Sequence, residues 1–270
     1  MSGRLSIVGT GPGDLDHLTL RARSTLQKAE VVLGYEAYLD QVSPLVKGKP
    51  VEAYLMGQEV ERARRALALA WEGKRVALVS GGDPGIYGMA APVFEALEII
   101  DRMSDARPGI EVVPGVTAHS ACAALLGAPL SGDFAVLSLS DLLTPWEAIA
   151  RRLEAAAAAD FVIVLYNPKS SGRPWQVAEA QRILLRHRLP STPIGIVRQA
   201  FRPRQQALIT TLGAMTEHPI DMTTTLIIGN SQTRAGPGFL LTPRGYTIPA
   251  QGEGRRANAP LALKGEGVRG

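Results

Sequence analysis

Residues 5–14 read LSIVGTGPGD, an apolar run that ends in a glycine-rich turn. A short apolar run of this kind is typical of a buried strand, and glycine after it permits a tight turn. The same order recurs at residues 75–80 (RVALVS), which are followed by Gly81-Gly82-Asp83-Pro84. Because helical patterns separate such runs, the sequence predicts an α/β fold whose first sheet is mainly parallel, with helices on both faces.

Apolar periodicity places the remaining elements. In the first half we expect strands at 5–9, 30–33, 75–80 and 110–113, and helices at 19–29, at 58–71 and up to about residue 102. In the second half we expect strands at 134–139, 160–166, 194–199, 207–211 and 223–228, and helices at 145–158 and 176–188. Since the later strands follow one another with few residues between them, the second sheet is expected to be mixed.

The pattern is interrupted at Val112-Val113-Pro114-Gly115, where proline and glycine indicate a tight connection. We therefore predict an N-terminal α/β domain over residues 1–114 and a C-terminal α/β domain over residues 115–245. Residues 246–270 are glycine-rich and polar towards their end, without periodicity, and are predicted to form a flexible tail.

Composition excludes several classes of protein. The chain has 270 residues and a formal net charge of +4, but its basic residues are scattered and only 5 % of its residues are aromatic, which argues against nucleic-acid binding. No apolar run is long enough to cross a bilayer, and the start of the chain lacks the pattern of a signal peptide, so we expect a cytoplasmic protein with no membrane partner. The single cysteine, Cys122, is interpreted as a buried small residue rather than a nucleophile. No two of the four histidines stand three or four residues apart, so no metal site is expected.

The first glycine-rich turn, Gly9-Thr10-Gly11-Pro12-Gly13-Asp14, invites comparison with a dinucleotide-binding loop. The G-x-G-x-x-G pattern fails, because Asp14 stands where its third glycine would be. Pro12 also interrupts the entry into a helix that would point its N-terminus at a pyrophosphate. The motif alone is compatible with a ligand loop or with a structural turn.

Two further motifs leave similar alternatives open. Residues 80–88 (SGGDPGIYG) follow a buried strand and suit either a ligand loop or a turn with Asp83 as the cap of a helix that starts near Pro84. Residues 113–119 (VPGVTAH) either admit a flat ligand or form an interdomain turn followed by a helix capped by Thr117. His119 alone suits a structural role as well as a catalytic one.

Taken together, the ordered motifs VGTGPGD, SGGDPGIYG, VPGVTA, LYNPKS and GIVRQAFR resemble the tetrapyrrole (class III) methyltransferases across residues 4–245. The resemblance implies two α/β domains with a cleft between them that binds S-adenosylmethionine (SAM). It also implies a homodimer that acts on a tetrapyrrole. Carried over position by position, the resemblance places these residues around SAM: Pro12, Gly81, Gly82, Asp83, Ile86, Thr117, Ala118, Asn167, Ala200, Thr225 and Leu226.

Within that family, one branch methylates precorrin-3B, or cobalt-factor III, at C17 and contracts the macrocycle. Two segments of this chain resemble that branch: residues 137–146 (LSLSDLLTPW) and residues 165–170 (LYNPKS). A C11- or C20-type enzyme or an rRNA methyltransferase of the same family is the nearest alternative. A Rossmann-type dehydrogenase and a tetrapyrrole carrier are more distant alternatives.

Arginine suits the carboxylates of the substrate, so Arg198 and Arg202 are predicted to bind it, with Arg173 and Arg204 as further candidates. Ring contraction needs proton transfer, for which Asp14 and His119 are the first candidates and Asp83 and Asp141 the next.

Overall fold

The computed structural model describes residues 3–100 and 107–248. The first half contains, in chain order, β1 (Arg4–Gly9), α1 (Leu20–Lys28), β2 (Val31–Tyr35), α2 (Glu36–Val46), β3 (Val51–Tyr54), α3 (Glu59–Trp71), β4 (Arg75–Ser80), α4 (Ala90–Ile100) and β5 (Gly109–Val113). Its strands form one sheet in the order β3-β2-β4-β1-β5, and every neighbouring pair is parallel.

Side-chain alternation along these strands builds a separate core on each face of the sheet. Successive side chains of a strand point to opposite faces. Leu5 and Ile7 of β1 therefore pack with residues of α3 and α4, whereas Val8 packs with residues of α1 and α2. Both faces are apolar because both are covered by helices, as the apolar runs predict.

The second half contains α5 (Ala118–Leu126), β6 (Gly127–Ala128), β7 (Phe134–Ser138), α6 (Trp146–Ala158), β8 (Val162–Tyr166), α7 (Gln176–Leu184), β9 (Pro193–Arg198), β10 (Gln206–Thr211), a 3₁₀ turn at Met215–Glu217, β11 (Thr224–Ile228), β12 (Arg234–Gly236) and β13 (Phe239–Leu241). The second sheet has the order β10-β9-β11-β8-β7. Its β7–β8 pair is parallel and the other pairs are antiparallel. Residues of α6 and α7 pack on one face, and residues of α5 and β13 on the other.

The fold class predicted from the sequence is confirmed: two α/β units, one with a parallel sheet and one with a mixed sheet. Thr19 caps α1 and accepts a hydrogen bond from the Ala22 N–H at 3.1 Å. Gly73 follows α3 with a φ of 89°, the left-handed conformation expected of a glycine there.

Several local predictions differ from the structure. Helix α2, strand β3 and the small sheet β12-β13-β6 were not predicted. The helix expected near Pro84 begins only at Ala90, because residues 84–88 form turns. The last predicted helix ends at Leu184 rather than Arg188, where turns follow it.

The domain limits at residues 114 and 245 stay predictions, although the two sheets do lie on either side of Pro114. Nearly all of the predicted tail, residues 249–270, lies outside the described residues. Over the part of the chain that is described, no helix is long and apolar enough to cross a membrane.

Candidate functional site

A cavity of about 320 Å³ lies between the two sheets. The first half lines it with the loops that follow β1, β4 and β5, and the second half with the segments after β8 and β9 and with the start of β11. The carboxyl ends of strands in α/β sheets are where such folds bind ligands. The cavity is therefore the candidate functional site.

Glycines in the first-half loops serve the packing of one loop on another. A Cβ on Gly11 would collide with the Val116 carbonyl oxygen and lie 2.5 Å from the Gly82 Cα. A Cβ on Gly9 would lie 2.6 Å from the Gly115 nitrogen. Of the two alternatives that the sequence leaves open for this turn, these close contacts between the loops favour a structural role for Gly9 and Gly11.

Gly82 differs from its neighbours. Its φ is 63°, and the space that a Cβ would enter is open, with the Thr117 Cα as the nearest atom at 3.8 Å. Gly82 therefore leaves room in the cavity, while its left-handed conformation independently favours glycine.

The segment after β9 joins the two halves at one side of the cavity. The Arg202 Nε donates to the Pro12 carbonyl oxygen at 3.3 Å, and a Cβ on Gly13 would lie 2.7 Å from the Arg202 Cγ. The ring of the neighbouring Phe201 lies 4.2 Å, centroid to centroid, from the ring of His17. Arg202 itself lines the cavity.

Tyr166, at the end of β8, connects the second half to the start of α5. Its hydroxyl oxygen accepts the His119 backbone N–H at 2.7 Å. The same oxygen lies 2.9 Å from the Thr117 hydroxyl and 3.0 Å from the His119 Nδ1. The Thr117 hydroxyl is therefore used in this contact rather than as the helix cap that the sequence suggested, since α5 has no side-chain cap.

Burial shifts the titration of this group of side chains. Burial lowers the pKa of His119 and raises the pKa of Tyr166. Both groups are thereby favoured in their neutral forms, which suits an imidazole and a phenol that share a hydrogen bond.

Cys122 lines the cavity, but burial raises the pKa of its thiol to about 11. It therefore remains a neutral thiol, in line with its interpretation as a buried small residue.

Strained backbone is concentrated at the cavity. Tyr87, Asn167 and Gln199 have φ values of 51°, 51° and 50° and all line it. A side chain other than glycine in this region costs on the order of 1–3 kcal/mol, and such residues cluster at functional sites.

The structure brings together most of the predicted site residues. Ten of them line the cavity among the described residues: Pro12, Gly81, Gly82, Ile86, Thr117, Ala118, Asn167, Ala200, Arg202 and Thr225.

Five predicted residues do not line the cavity. Asp83 accepts hydrogen bonds from the backbone N–H groups of Gly85 (2.8 Å) and Gly115 (3.1 Å), so its carboxylate holds the loops together. Leu226 is fully buried in the core that the second sheet forms with α6 and α7, and it does not line the cavity. Arg198 donates to Asp221 at 2.6 Å.

Of the two residues predicted to be catalytic, His119 contacts a residue that lines the cavity, whereas Asp14 is bound to a residue outside the cavity lining. Asp14 is outside it and accepts hydrogen bonds from the Nδ1 (2.7 Å) and backbone N–H (2.9 Å) of His17. His119 lies directly behind Tyr166, which is part of the wall.

The further candidates have other contacts. Arg173 is buried and donates to the carbonyl oxygens of Leu139 and Asn167. Asp141 accepts a hydrogen bond from Gln176 at 3.0 Å, and Arg204 is exposed.

Sequence reasoning missed several lining residues, chiefly Tyr38, Met56, Tyr87, Tyr166 and Met222. Tyr38 comes from helix α2, which was not predicted. Its ring fills the space that a Cβ at position 81 would occupy, so glycine is needed there. Tyr87 and Tyr166 stand inside the quoted motifs SGGDPGIYG and LYNPKS, which was the signal available for them.

The described residues contain no group of three or more His, Cys, Asp and Glu side chains arranged to hold a metal ion. The cavity accordingly offers hydroxyls, amides, backbone groups and one arginine rather than a metal cage.

The sequence model of a protein family described as Tetrapyrrole (Corrin/Porphyrin) Methylases matches residues 4–216. The chain belongs to the tetrapyrrole methylases. A probable cobalt-factor III C(17)-methyltransferase from Salmonella typhimurium is 45 % identical over 246 residues, covering 90 % of this chain and 100 % of that protein. A precorrin-3B C(17)-methyltransferase from a Sinorhizobium species is 44 % identical over 259 residues, covering 93 % of this chain and 100 % of that protein. A cobalt-factor III methyltransferase from Priestia megaterium is 45 % identical over 91 % of this chain, but the chain spans only 46 % of that protein.

Solved structures of tetrapyrrole methylases share the fold. The crystal structure of the methyltransferase CobJ superposes with a TM-score of 0.85 and 37 % identity, covering 90 % of this chain and 100 % of that chain. Uroporphyrin-III C-methyl transferase from Thermus thermophilus, complexed with S-adenyl homocysteine, gives a TM-score of 0.64 and 28 % identity, covering 84 % and 97 %.

Proposed function

We propose that this tetrapyrrole methylase transfers a methyl group from SAM to C17 of precorrin-3B or cobalt-factor III and contracts the macrocycle, as a step of cobalamin biosynthesis. The observation that carries the proposal is the cavity between the sheets, which is lined from both sides by the residues of the quoted motifs. Relatives named for this reaction are 44–45 % identical over 90 % or more of the chain. The solved uroporphyrin-III methyltransferase is less similar, at 28 %.

The cavity suits SAM in size and in chemistry. Its volume of about 320 Å³ lies in the range of small-molecule sites. The open space beside Gly82 gives the ligand access to backbone groups of the loop after β4. Ile86, Ala118 and Ala200 supply apolar surface, and Thr117, Asn167 and Thr225 supply polar groups. When bound, SAM supplies the methyl group.

The tetrapyrrole is assigned to the mouth of the cavity, because the cavity volume suits one small ligand only. Met56, Ile86 and Tyr87 line it and are 62, 40 and 60 % exposed, so they offer an apolar surface for a flat macrocycle. Arg202, from the second half, also lines the cavity, and its guanidinium suits an acetate or propionate carboxylate. Arg198 is already paired with Asp221 and is the weaker of the two predicted substrate ligands.

Methyl transfer to carbon depends chiefly on alignment of the two reactants, which the rigid loop contacts of the first half provide. Ring contraction also requires proton movement. Of the two predicted acid–base residues, the geometry favours His119 over Asp14. His119 shares a hydrogen bond with Tyr166 in the cavity wall, whereas the Asp14 carboxylate is taken by His17.

Titration calorimetry with SAM and turnover assays with both tetrapyrroles test the proposal. Ala118→Leu fills the cavity and should abolish SAM binding, while Ser120→Leu, at an exposed position of the same helix, should bind SAM as the wild type does. Gly82→Val is unsuitable as a probe, because a φ of 63° strains a β-branched residue whether or not ligand binds there. Equal SAM binding by Ala118→Leu and wild type would reject the placement of the site. The homodimer and the cytoplasmic location remain predictions.

A further inference from the structure

A second cavity, of about 240 Å³, lies at the opposite end of the first sheet from the cleft. Its walls are the amino ends of β1 and β4, part of β5 and one face of α1. Since β1 has six residues and a strand rises about 3.3 Å per residue, the two cavities lie roughly 17–20 Å apart. The second cavity is therefore separate from the site proposed for SAM.

The walls of this second cavity are strongly basic. Its described lining carries four cationic side chains, Arg4, Arg21, Lys28 and Arg75, and one carboxylate, Glu111. Arg75 also pairs with Glu30, which lies beside the cavity. Even with both carboxylates counted, cations outnumber anions, so the cavity attracts an anion.

Glu111 already acts as an internal anion for two of these arginines. It accepts hydrogen bonds from the Arg4 Nη2 at 2.6 Å and from the Arg21 Nε at 3.0 Å. Each guanidinium has five N–H donors, so further donors remain on both. The Lys28 ammonium has no hydrogen-bond or ion-pair partner among the residues that the structure describes, while the Lys28 carbonyl oxygen accepts a hydrogen bond from the Arg75 Nε at 3.2 Å.

A serine hydroxyl also belongs to the cavity. Ser6 is only 5 % exposed and lines the cavity, and its hydroxyl has no partner within residues 3–100 and 107–248. The Ser6 Oγ is not fully buried, so the hydroxyl is accessible to a small molecule in the cavity. Ser6 stands opposite Glu111 in the β1–β5 register, so the unpaired hydroxyl lies beside the carboxylate that holds the arginines.

We propose that this cavity binds a small, multiply charged oxyanion of the phosphate type. Its volume of about 240 Å³ is below the usual range of roughly 300–1,000 Å³ for organic ligands, which favours inorganic phosphate over a nucleotide. The oxyanion accepts hydrogen bonds from the Lys28 ammonium, the Ser6 hydroxyl and the remaining guanidinium donors. Charge-assisted hydrogen bonds of this kind are about twice as strong as neutral ones.

Calorimetric titration of the full chain with inorganic phosphate at low salt tests the proposal. Lys28→Ala should weaken binding about tenfold or more, because a charged donor is lost. Lys47→Ala removes the same charge from an exposed position outside the cavity and should bind phosphate as the wild type does. Ser6→Ala should weaken binding severalfold although it changes no charge.

Glu111→Gln gives the most specific result. It removes the internal competitor and should tighten phosphate binding, whereas binding to surface charge in general would treat Lys28→Ala and Lys47→Ala alike. Melting temperatures establish that each variant is folded. No heat of phosphate binding to the wild type, or equal losses in Lys28→Ala and Lys47→Ala, would overturn the proposal. The titration uses neither SAM nor a tetrapyrrole, so its result leaves the proposed function untouched.

Discussion

The loops after β1, β4 and β5 form the first-half wall of the cleft by meeting backbone to backbone at glycines such as Gly11 and Gly115. The second-half wall instead places complete side chains in the left-handed region, at Asn167 and Gln199, with φ values of 51° and 50°. The first wall is stabilised chiefly by close packing, with one left-handed residue, Tyr87 (φ 51°), and the second wall holds most of the conformational strain. We infer that the first-half wall is rigid, and that the surrounding structure holds the second-half wall in its conformation.

Among the substitutions that test this comparison, Gly11→Ala is expected to change the free energy of unfolding most. Its Cβ would meet backbone atoms of Val116 and Gly82, which have no side-chain freedom with which to move away. We expect a loss of roughly 3 kcal/mol in the free energy of unfolding, measured by urea denaturation. Gly172→Ala is the matched control, since a Cβ there meets nothing within 4 Å. Similar losses in both variants would show that the first wall is not closely packed.

Tyr166→Phe tests the contact between the walls. It deletes the hydroxyl that accepts the His119 N–H and contacts Thr117, leaving partly buried polar groups without this partner. We expect a loss of about 1–3 kcal/mol in stability. SAM binding should also weaken, and the methylated but uncontracted macrocycle should accumulate if His119 takes part in contraction.

His119→Ala is the control for the chemical part of that result. It removes the ring but keeps the backbone N–H that binds Tyr166. Normal yields of contracted product from both Tyr166→Phe and His119→Ala would assign the proton transfer to other groups.

Gln199→Gly should have a small effect on stability, and unlike the substitutions above it should not destabilise the protein. Glycine adopts a φ of 50° without strain, so the variant should match or slightly exceed the wild type in stability, whereas Gln199→Val should be less stable. Thermal unfolding of the three proteins provides the ranking. A marked loss of stability in Gln199→Gly would mean that the second wall is not strained there.

The smallest expected effect is a pH dependence of stability at His119. Burial lowers the pKa of His119 in the folded chain, so between its ordinary value and the folded value the unfolded chain binds more protons. Stability should therefore fall as the pH drops below about 6.5 and level off below the folded pKa. Melting temperatures from pH 8 to pH 5 should fall less in His119→Ala, and parallel curves for the two proteins would contradict this assignment.

The features that could be predicted from the sequence are those that a local pattern determines. Strands such as Arg75–Ser80 were found because an uninterrupted apolar run followed by glycines has few other interpretations. The motifs also placed ten of the predicted site residues correctly in the lining of the cavity. The contribution of Tyr38 and the conformations of Asn167 and Gln199 depend on tertiary packing, which no local sequence pattern predicts, whereas Tyr166 stands within the motif LYNPKS and was overlooked there.

The role of each residue within a motif could not be predicted from the sequence either. Asp83 stands in the right loop, yet its carboxylate binds two backbone N–H groups instead of facing the cavity. Helix α2 was missed because Pro44 lies inside it and obscures the helical pattern.

The central claim is that the cleft binds SAM and directs its methyl group to C17 of the macrocycle. The most direct measurement uses SAM with a ¹³C-labelled methyl group, incubated with the enzyme and with precorrin-3B or cobalt-factor III, followed by NMR and mass spectrometry of the product. The account predicts a single labelled methyl group on C17 of a contracted macrocycle, and no transfer by Ala118→Leu. A label at a different ring carbon, or no transfer to either tetrapyrrole by folded wild-type enzyme, would contradict it.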